Sequence, residues 1–96
     1  MKTKKQNIAR IKKVLNYVKS GGSFFFTSSV HEIRFIDFND LYFKTLNWEG
    51  YSFDDLTAEE LNTITEELIN AIYEDLKAKL YTIEKNCVDF YNKFVA

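Results

Sequence analysis

Residues 57–76, TAEELNTITEELINAIYEDL, carry the strongest structural signal in the chain. They open with a capping box: the Thr57 hydroxyl is placed to accept from the backbone N–H of Glu60, and the Glu60 carboxylate from the N–H of Thr57. Leu56 and Leu61 flank this box at the spacing of a hydrophobic staple. The stretch therefore predicts a helix that begins at Thr57.

The apolar stripe of this helix continues toward the C-terminus at a mean spacing of about 3.7 residues, unlike the 3.5 of a left-handed coiled coil. Its members are Leu61, Ile64, Leu68, Ile72, Leu76, Leu80, Ile83, Cys87, Phe90 and Phe94. One helix over residues 57–95 would be about 58 Å long, whereas a compact domain of this size is about 32 Å across. We therefore expect either a break between Lys77 and Asn86 or an end that packs on a second chain.

A second helix is predicted near the N-terminus, over residues 5–19, because apolar residues recur there at spacings of three and four. The members of this stripe are Ile8, Ile11, Leu15 and Val18. Residues 21–22 are Gly-Gly, and Gly favours the left-handed conformation that ends many helices. We expect the helix to end before them.

Three segments between the helices, residues 23–29, 32–38 and 41–48, are rich in Phe, Ile, Thr and Tyr, which favour strands. The simplest pairing is a three-stranded antiparallel meander. In the middle segment, strict alternation places Ile33 and Phe35 on the face opposite to Ile36 and Phe38. A β-bulge, or a sheet covered on both faces, is therefore expected.

Together these elements predict an α+β fold. An N-terminal helix and a three-stranded antiparallel β-meander precede one long or two consecutive C-terminal helices, and the helices pack on one sheet face. The chain has 96 residues, of which 46% are hydrophobic, enough to bury a core without disulfides. We expect a single domain over residues 1–96, with residues 1–5 frayed.

Charge is strongly sorted along the chain although the net charge is −1. The first nineteen residues carry seven cations and no acid, and residues 49–67 carry seven acids and no base. The cations are a candidate nucleic-acid surface, formed by Lys4, Lys5, Arg10, Lys12 and Lys13. The acids predict an acidic surface formed by Asp54, Asp55, Glu59 and Glu60. Both patterns also fit solvated helix faces and charge pairing between the two helices.

Large aromatic residues precede the second helix, where Trp48, Tyr51 and Phe53 surround Gly50. They fit either interface anchors or a cap on the core, with Trp48 turned inward and Tyr51 outward. The apolar face of the C-terminal part is wide and rich in aromatic residues, which is typical of a helix that packs against something on two sides. The predicted protein interface comprises Trp48, Tyr51, Phe53, Tyr81, Tyr91 and Phe94.

Aromatic residues in the predicted strands have two interpretations. They are a candidate base-stacking platform on the sheet, or they form the core under the helices, which we expect. This set comprises Phe24, Phe26, Phe35, Tyr42 and Phe43.

The sequence carries no recognisable catalytic signature. His31, beside Ser28, Ser29 and Glu32, admits a hydrolase hypothesis, but no oxyanion-hole or shaped-site signal accompanies it, and a turn residue is the simpler interpretation. Gly-rich phosphate loops, paired-Cys motifs and calcium loops are absent. We expect no catalytic residue, no cofactor and no metal.

The single cysteine, Cys87, cannot form an intrachain disulfide and favours a reducing cytoplasm. No apolar run reaches the length of about 18 residues that spans a membrane. Eleven Lys against two Arg is the usage of an A+T-rich genome, which points to a bacterium, a phage or another mobile element.

These observations favour a small non-catalytic protein-interaction module of the cytoplasm, an accessory or inhibitory protein whose partner is another protein or a second copy. The alternative is nucleic-acid binding through the Lys-rich first helix. A hydrolase that uses His31 is the third hypothesis.

Overall fold

The computed structural model describes residues 2–18, 23–78 and 88–95. The elements in chain order are helix α1 (Lys4–Val18), strands β1 (Ser23–Phe25), β2 (Ile33–Asp37), β3 (Tyr42–Thr45) and β4 (Gly50–Ser52), a 3₁₀ turn (Phe53–Asp55), helix α2 (Ala58–Ala78) and a π-helical C-terminal turn (Tyr91–Val95). The strands form one antiparallel sheet in the order β1-β2-β3-β4. The predicted α+β class is confirmed, with four strands where three were expected.

Helix α1 begins earlier than predicted because its N-terminus is capped. The backbone N–H of Thr3 donates to Gln6 Oε1 (2.9 Å), and the N–H of Gln6 donates to Thr3 Oγ1 (3.1 Å). These two bonds close the first turn of the helix, and the fraying of residues 1–5 stays a prediction. Lys19 and the Gly-Gly pair at 21–22 lie outside the described residues.

The capping box at the start of α2 is confirmed. The N–H of Thr57 donates to Glu60 Oε1 (2.9 Å) and the N–H of Glu60 donates to Thr57 Oγ1 (3.1 Å). Both leucines of the predicted staple are buried. A further capping arrangement lies just upstream, where Ser52 N–H donates to Asp55 Oδ2 (3.2 Å) and Asp54 N–H to Ser52 Oγ (3.2 Å).

The predicted third strand, residues 41–48, is shorter in the structure: β3 ends at Thr45, and β4 follows at residues 50–52, where no strand was predicted. Thr45 N–H donates to the Glu49 carbonyl (3.1 Å) and Trp48 N–H to the Thr45 carbonyl (2.9 Å), which closes a three-residue hairpin turn. Trp48 has φ 62°, the left-handed position that such turns usually give to Gly. The chain then returns as β4, and Tyr51 pairs with Phe43.

A bulge in β2 explains its irregular alternation. Ile33 pairs with Thr45 and Phe35 with Lys44, so Arg34 is the extra residue. The shift allows Ile33 and Ile36 both to reach the core, where neither has exposed surface. The predicted bulge is confirmed.

The core lies between the sheet and the helices. It contains the buried faces of α1 and α2, the inward residues of β2 and β3, and Phe90 just before the C-terminal turn. Tyr17 on α1 lies 5.8 Å from Phe90 and 5.5 Å from Phe94 between ring centroids. Tyr17 also donates its hydroxyl to Asp89.

The C-terminal turn packs back on the helices of its own chain. Tyr73 and Tyr91 have ring centroids 5.4 Å apart, whereas eighteen residues of continuous helix would separate them by about 27 Å. The described part of the molecule measures 39 × 28 × 22 Å, too short for an unbroken rod. Of the two alternatives for residues 57–95, the chain that folds back is therefore the one observed.

Phe90→Ala is expected to destabilise the fold by about 3–5 kcal/mol, because it empties a fully buried aromatic site. Val88→Ala, at a side chain that is 56% exposed, is the matched control and should change stability by less than about 0.5 kcal/mol. Urea unfolding of both variants measures the difference. Equal small effects would show that the C-terminal turn does not belong to the core.

Candidate interaction surface and loop clamp

The β1–β2 loop is clamped to α2 by Glu67. Ser28 Oγ donates to Glu67 Oε1 (2.6 Å), and the backbone N–H of Ser29 contacts both carboxylate oxygens at 3.2 Å. Burial of the carboxylate raises the pKa of Glu67, but the hydrogen bonds from Ser28 and Ser29 outweigh it and lower the pKa overall. The ionised form of Glu67 therefore stabilises the position of the loop.

His31 and Glu32 form the tip of this loop, both with positive φ (49° and 51°). Ile33 N–H donates to the Val30 carbonyl (3.1 Å), so the tip is a type I′ turn, which usually carries Asn-Gly. His31 Nε2 hydrogen-bonds Glu60 Oε2 on α2. The pKa of Glu60 is lowered, chiefly by the hydrogen bond from the Thr57 backbone N–H and further by the contact with His31.

The residues of the hydrolase hypothesis are close in the chain but have separate partners. The Ser28 hydroxyl donates to Glu67, whereas the His31 ring bonds Glu60. A nucleophile requires a base within hydrogen-bond reach. The arrangement instead attaches one loop to α2 at two carboxylates seven residues apart, and the interpretation of His31 as a turn residue is confirmed.

Four aromatic side chains cluster on the sheet face that points away from the helices, and we call them the aromatic face: Phe25, Phe35, Tyr42 and Trp48. Ring centroids lie 5.1 Å apart for Phe25–Phe35, 6.0 Å for Phe35–Tyr42 and 6.2 Å for Phe25–Trp48. Lys44 Nζ lies 5.6 Å from the centroid of the Trp48 ring. Phe25 is 64% exposed and Trp48 54% exposed.

Register explains which aromatic residues reach this face. Phe24 pairs with Ile36 and Phe25 with Phe35, so successive residues of β1 alternate between the core and the outer face. Phe24, Phe26 and Phe43 therefore belong with the core, as expected, whereas Phe35 and Tyr42 face outward. Phe25 was not predicted to be a site residue. In a strand, however, the middle residue of the Phe-Phe-Phe run at 24–26 points to the sheet face opposite to that of its two neighbours.

The predicted interface residues differ in how far they are exposed. Trp48 was expected to turn inward, but it is exposed and its ring contacts Phe25 on the outer face of the sheet. Tyr51 is exposed as predicted, and its hydroxyl donates to Glu49 Oε2 (2.8 Å), which raises the Tyr51 pKa. Phe53 is buried with Phe38 and Phe43, so it caps the core instead of anchoring an interface.

The remaining interface residues lie in the C-terminal part of the chain. Tyr91 is exposed, and Phe94 is partly buried against Tyr17 and Phe90. Tyr81, like Cys87, lies outside the described residues.

The basic residues of α1 divide into two groups. Arg10 forms an ion pair with Glu66 of α2 (2.7 Å) and Lys4 Nζ donates to the Asp54 carbonyl (3.1 Å), so both bind within the chain. Lys5, Lys12 and Lys13 are exposed. The predicted charge pairing between the two helices is therefore present at Arg10.

The acidic residues sit at two consecutive helix starts. Asp54 and Asp55 lie in the 3₁₀ turn and Glu59 and Glu60 in the first turn of α2, where carboxylates stabilise exposed N–H groups. Asp55 and Glu60 are also the capping partners described above. Within residues 2–18, 23–78 and 88–95, no group of three or more His, Cys, Asp or Glu is placed to hold a metal ion.

Comparisons of the chain with protein-family models, with curated proteins and with solved structures find no match. Among the described residues, no helix combines the length and the apolar character needed to cross a membrane. What the chain does is therefore inferred from its own residues.

Glu67→Gln is expected to lower stability at pH 7 by about 1–2 kcal/mol, because charge-assisted hydrogen bonds become neutral ones. The folded pKa of Glu67 is depressed, so its contribution is complete above the ordinary carboxyl range and is lost as pH falls through the folded pKa. Urea unfolding at neutral pH and at about pH 3 measures the free energy of unfolding. On acidification this free energy should fall less in the variant than in the wild type.

Glu74→Gln is the control, because Glu74 contacts only exposed Lys77 (3.4 Å) among the described groups. It should change stability by less than about 0.5 kcal/mol at either pH. If Glu67→Gln lost as much unfolding free energy on acidification as the wild type does, the stabilising role of the Glu67 clamp would be contradicted.

Proposed function

We propose that this protein is a small non-catalytic protein-interaction module that binds a partner protein through its aromatic face. The observation that carries the proposal is the exposure of Phe25 and Trp48 on a sheet face that the described helices leave uncovered. Aromatic residues are enriched at protein interfaces, and tryptophan is one of the residue types most often found at their hot spots. Residue usage and the single cysteine support action in the cytoplasm, as an accessory or inhibitory protein of a bacterial mobile element or phage.

The backbone at Trp48 supports the same proposal. A bulky residue in the left-handed region costs about 1–2 kcal/mol relative to its ordinary conformation. A half-exposed ring recovers only part of this cost through burial. The tryptophan therefore adds little to the fold, and a role in binding accounts for it.

The charges beside the aromatic face favour protein over nucleic acid. Lys44 lies opposite Phe35, and Asp37 lies opposite Tyr42, so a cation and an acid border the rings on the same side of the sheet. Surfaces that stack single-stranded nucleic acid combine their aromatic residues with a positive groove. A face of mixed charge around an aromatic centre is instead typical of protein interfaces.

Nucleic-acid binding through α1 is the second candidate, favoured by the exposure of Lys5, Lys12 and Lys13. Lys5 and Lys12 are seven residues apart, which places them on the same side of the helix. No ion pair or hydrogen bond engages these three side chains in the described structure. The site lacks arginine, because Arg10 is paired with Glu66.

Trp48→Gly is expected to preserve the fold and abolish partner binding. Relief of the left-handed conformation offsets the loss of an exposed ring, so the free energy of unfolding should fall by no more than about 0.5 kcal/mol. Phe43→Ala, in the core, is the contrasting variant and should cost about 3–5 kcal/mol. Urea unfolding measures both.

Partner binding is measured by photo-cross-linking in the cell that makes the protein, with benzoylphenylalanine in place of Phe25. A discrete protein adduct is expected, and Trp48→Gly should remove it. The same group in place of Ala9, on the exposed side of α1, is the control and should give none. An adduct that survives Trp48→Gly, or one formed only from position 9, would contradict binding through the aromatic face.

The nucleic-acid candidate predicts that Lys5→Gln, Lys12→Gln and Lys13→Gln together abolish retention of labelled DNA and RNA. Wild-type affinity should also fall steeply between about 50 and 200 mM salt, since each phosphate contact releases a counterion. Fluorescence anisotropy measures both effects. Equal behaviour of the wild type and the triple variant would remove this candidate.

A further inference from the structure

A cavity of about 440 Å³ opens at the end of the β3–β4 hairpin, on the side opposite to the aromatic face. The turn at His31 and Glu32, the inward side of the hairpin and the residues before α2 form its walls. Phe43 and Tyr51 contribute aromatic surface, with ring centroids 5.5 Å apart and planes inclined by 25°. The cavity is large enough for a small organic group.

Its lining is acidic. Glu32, Glu49 and Asp55 all border the cavity, and none of the three has a Lys or Arg within ion-pair distance in the described part of the chain. The Tyr51 hydroxyl donates to Glu49 Oε2 (2.8 Å), which fixes one carboxylate beside an aromatic ring. The single basic side chain of the lining, His31, is bonded to Glu60 outside it.

A buried hydroxyl oxygen lies in the wall of the cavity. Thr45 lines the cavity, and its Oγ1 has no solvent exposure and no hydrogen-bond partner. Among the described residues it is the one buried side-chain N or O atom in this condition. An unpaired buried hydroxyl is costly, but an atom without accessible surface is out of reach of a ligand in the cavity, so Thr45 Oγ1 is not counted among the binding groups.

We propose that this cavity binds an organic cation of the ammonium or guanidinium class, with Glu32 and Glu49 as counter-charges and hydrogen-bond acceptors and the ring of Tyr51 as an apolar wall. Carboxylates attract such a cation, aromatic faces bind it by cation–π contact, and its N–H groups donate to hydroxyl and carboxylate oxygens. The acids are too dispersed to coordinate a metal ion. This site does not depend on the partner protein proposed above.

The source of the cation is either a free amine or a Lys or Arg side chain of a peptide. Agmatine represents the first source, and a blocked Gly-Gly-Arg-Gly-Gly peptide the second. The same peptide with Gln in place of Arg is the neutral control. Amide chemical shifts measured by NMR report binding.

Binding of either probe should move the amide signals of Thr45, Glu49 and Tyr51, and the neutral peptide should move none of them. Agmatine binding alone assigns the site to free amines, and tighter binding of the arginine peptide assigns it to a protein side chain. Shifts elsewhere in the protein, or equal shifts with the neutral peptide, would overturn the proposal. So would the absence of shifts at about 10 mM of both probes, where even a millimolar site is mostly occupied.

Glu32→Gln combined with Glu49→Gln should weaken binding by about tenfold or more, because both counter-charges are lost. Glu59→Gln, an acid of α2 outside the lining, should not change it. Thr45→Val should raise the urea midpoint, since it removes an unsatisfied buried hydroxyl with little change in side-chain volume. Unchanged affinity in the double variant would overturn the proposal, whatever happens to the aromatic face.

Discussion

Burial of the apolar face of α2 is the constraint on which the rest of the structure depends. Leu61, Ile64 and Leu68 have no exposed surface, and each buried side chain of this kind stabilises the fold by about 1.5–3 kcal/mol. An exposed ion pair such as Arg10–Glu66 contributes at most about 1 kcal/mol. Apolar packing therefore positions α2, and Glu60 and Glu67 then hold the β1–β2 loop on the helix that packing has fixed.

Local signals made most of the fold predictable from the sequence. The capping box at Thr57 and the helical stripes involve residues three or four apart, whose geometry depends little on distant contacts. Strand β4 was missed because the turn before it places Trp48 where turn chemistry favours Gly. A second capping box, formed by Thr3 and Gln6 at the start of α1, was also missed.

The candidate sites were less predictable because they depend on register and on distant residues. Phe25 and Trp48 are 23 positions apart and meet only when β1 pairs with β2 and the β3–β4 hairpin closes. The cavity joins Glu32, Glu49 and Asp55 from three separate segments, and no periodicity connects them. By contrast, pairing of the basic and acidic helices was predicted, because sorted charge is visible in the chain itself.

The edge of β4 shows how the sheet is terminated. Tyr51 uses its backbone groups to pair with Phe43, so the N–H groups of Gly50 and Ser52 point away from the sheet. Asp55 already accepts the Ser52 N–H, and Glu49 and Asp55 place a carboxylate beside each end of this short strand. A strand from another molecule would find a donor occupied and acids on both sides, which disfavours growth into fibrils at this edge.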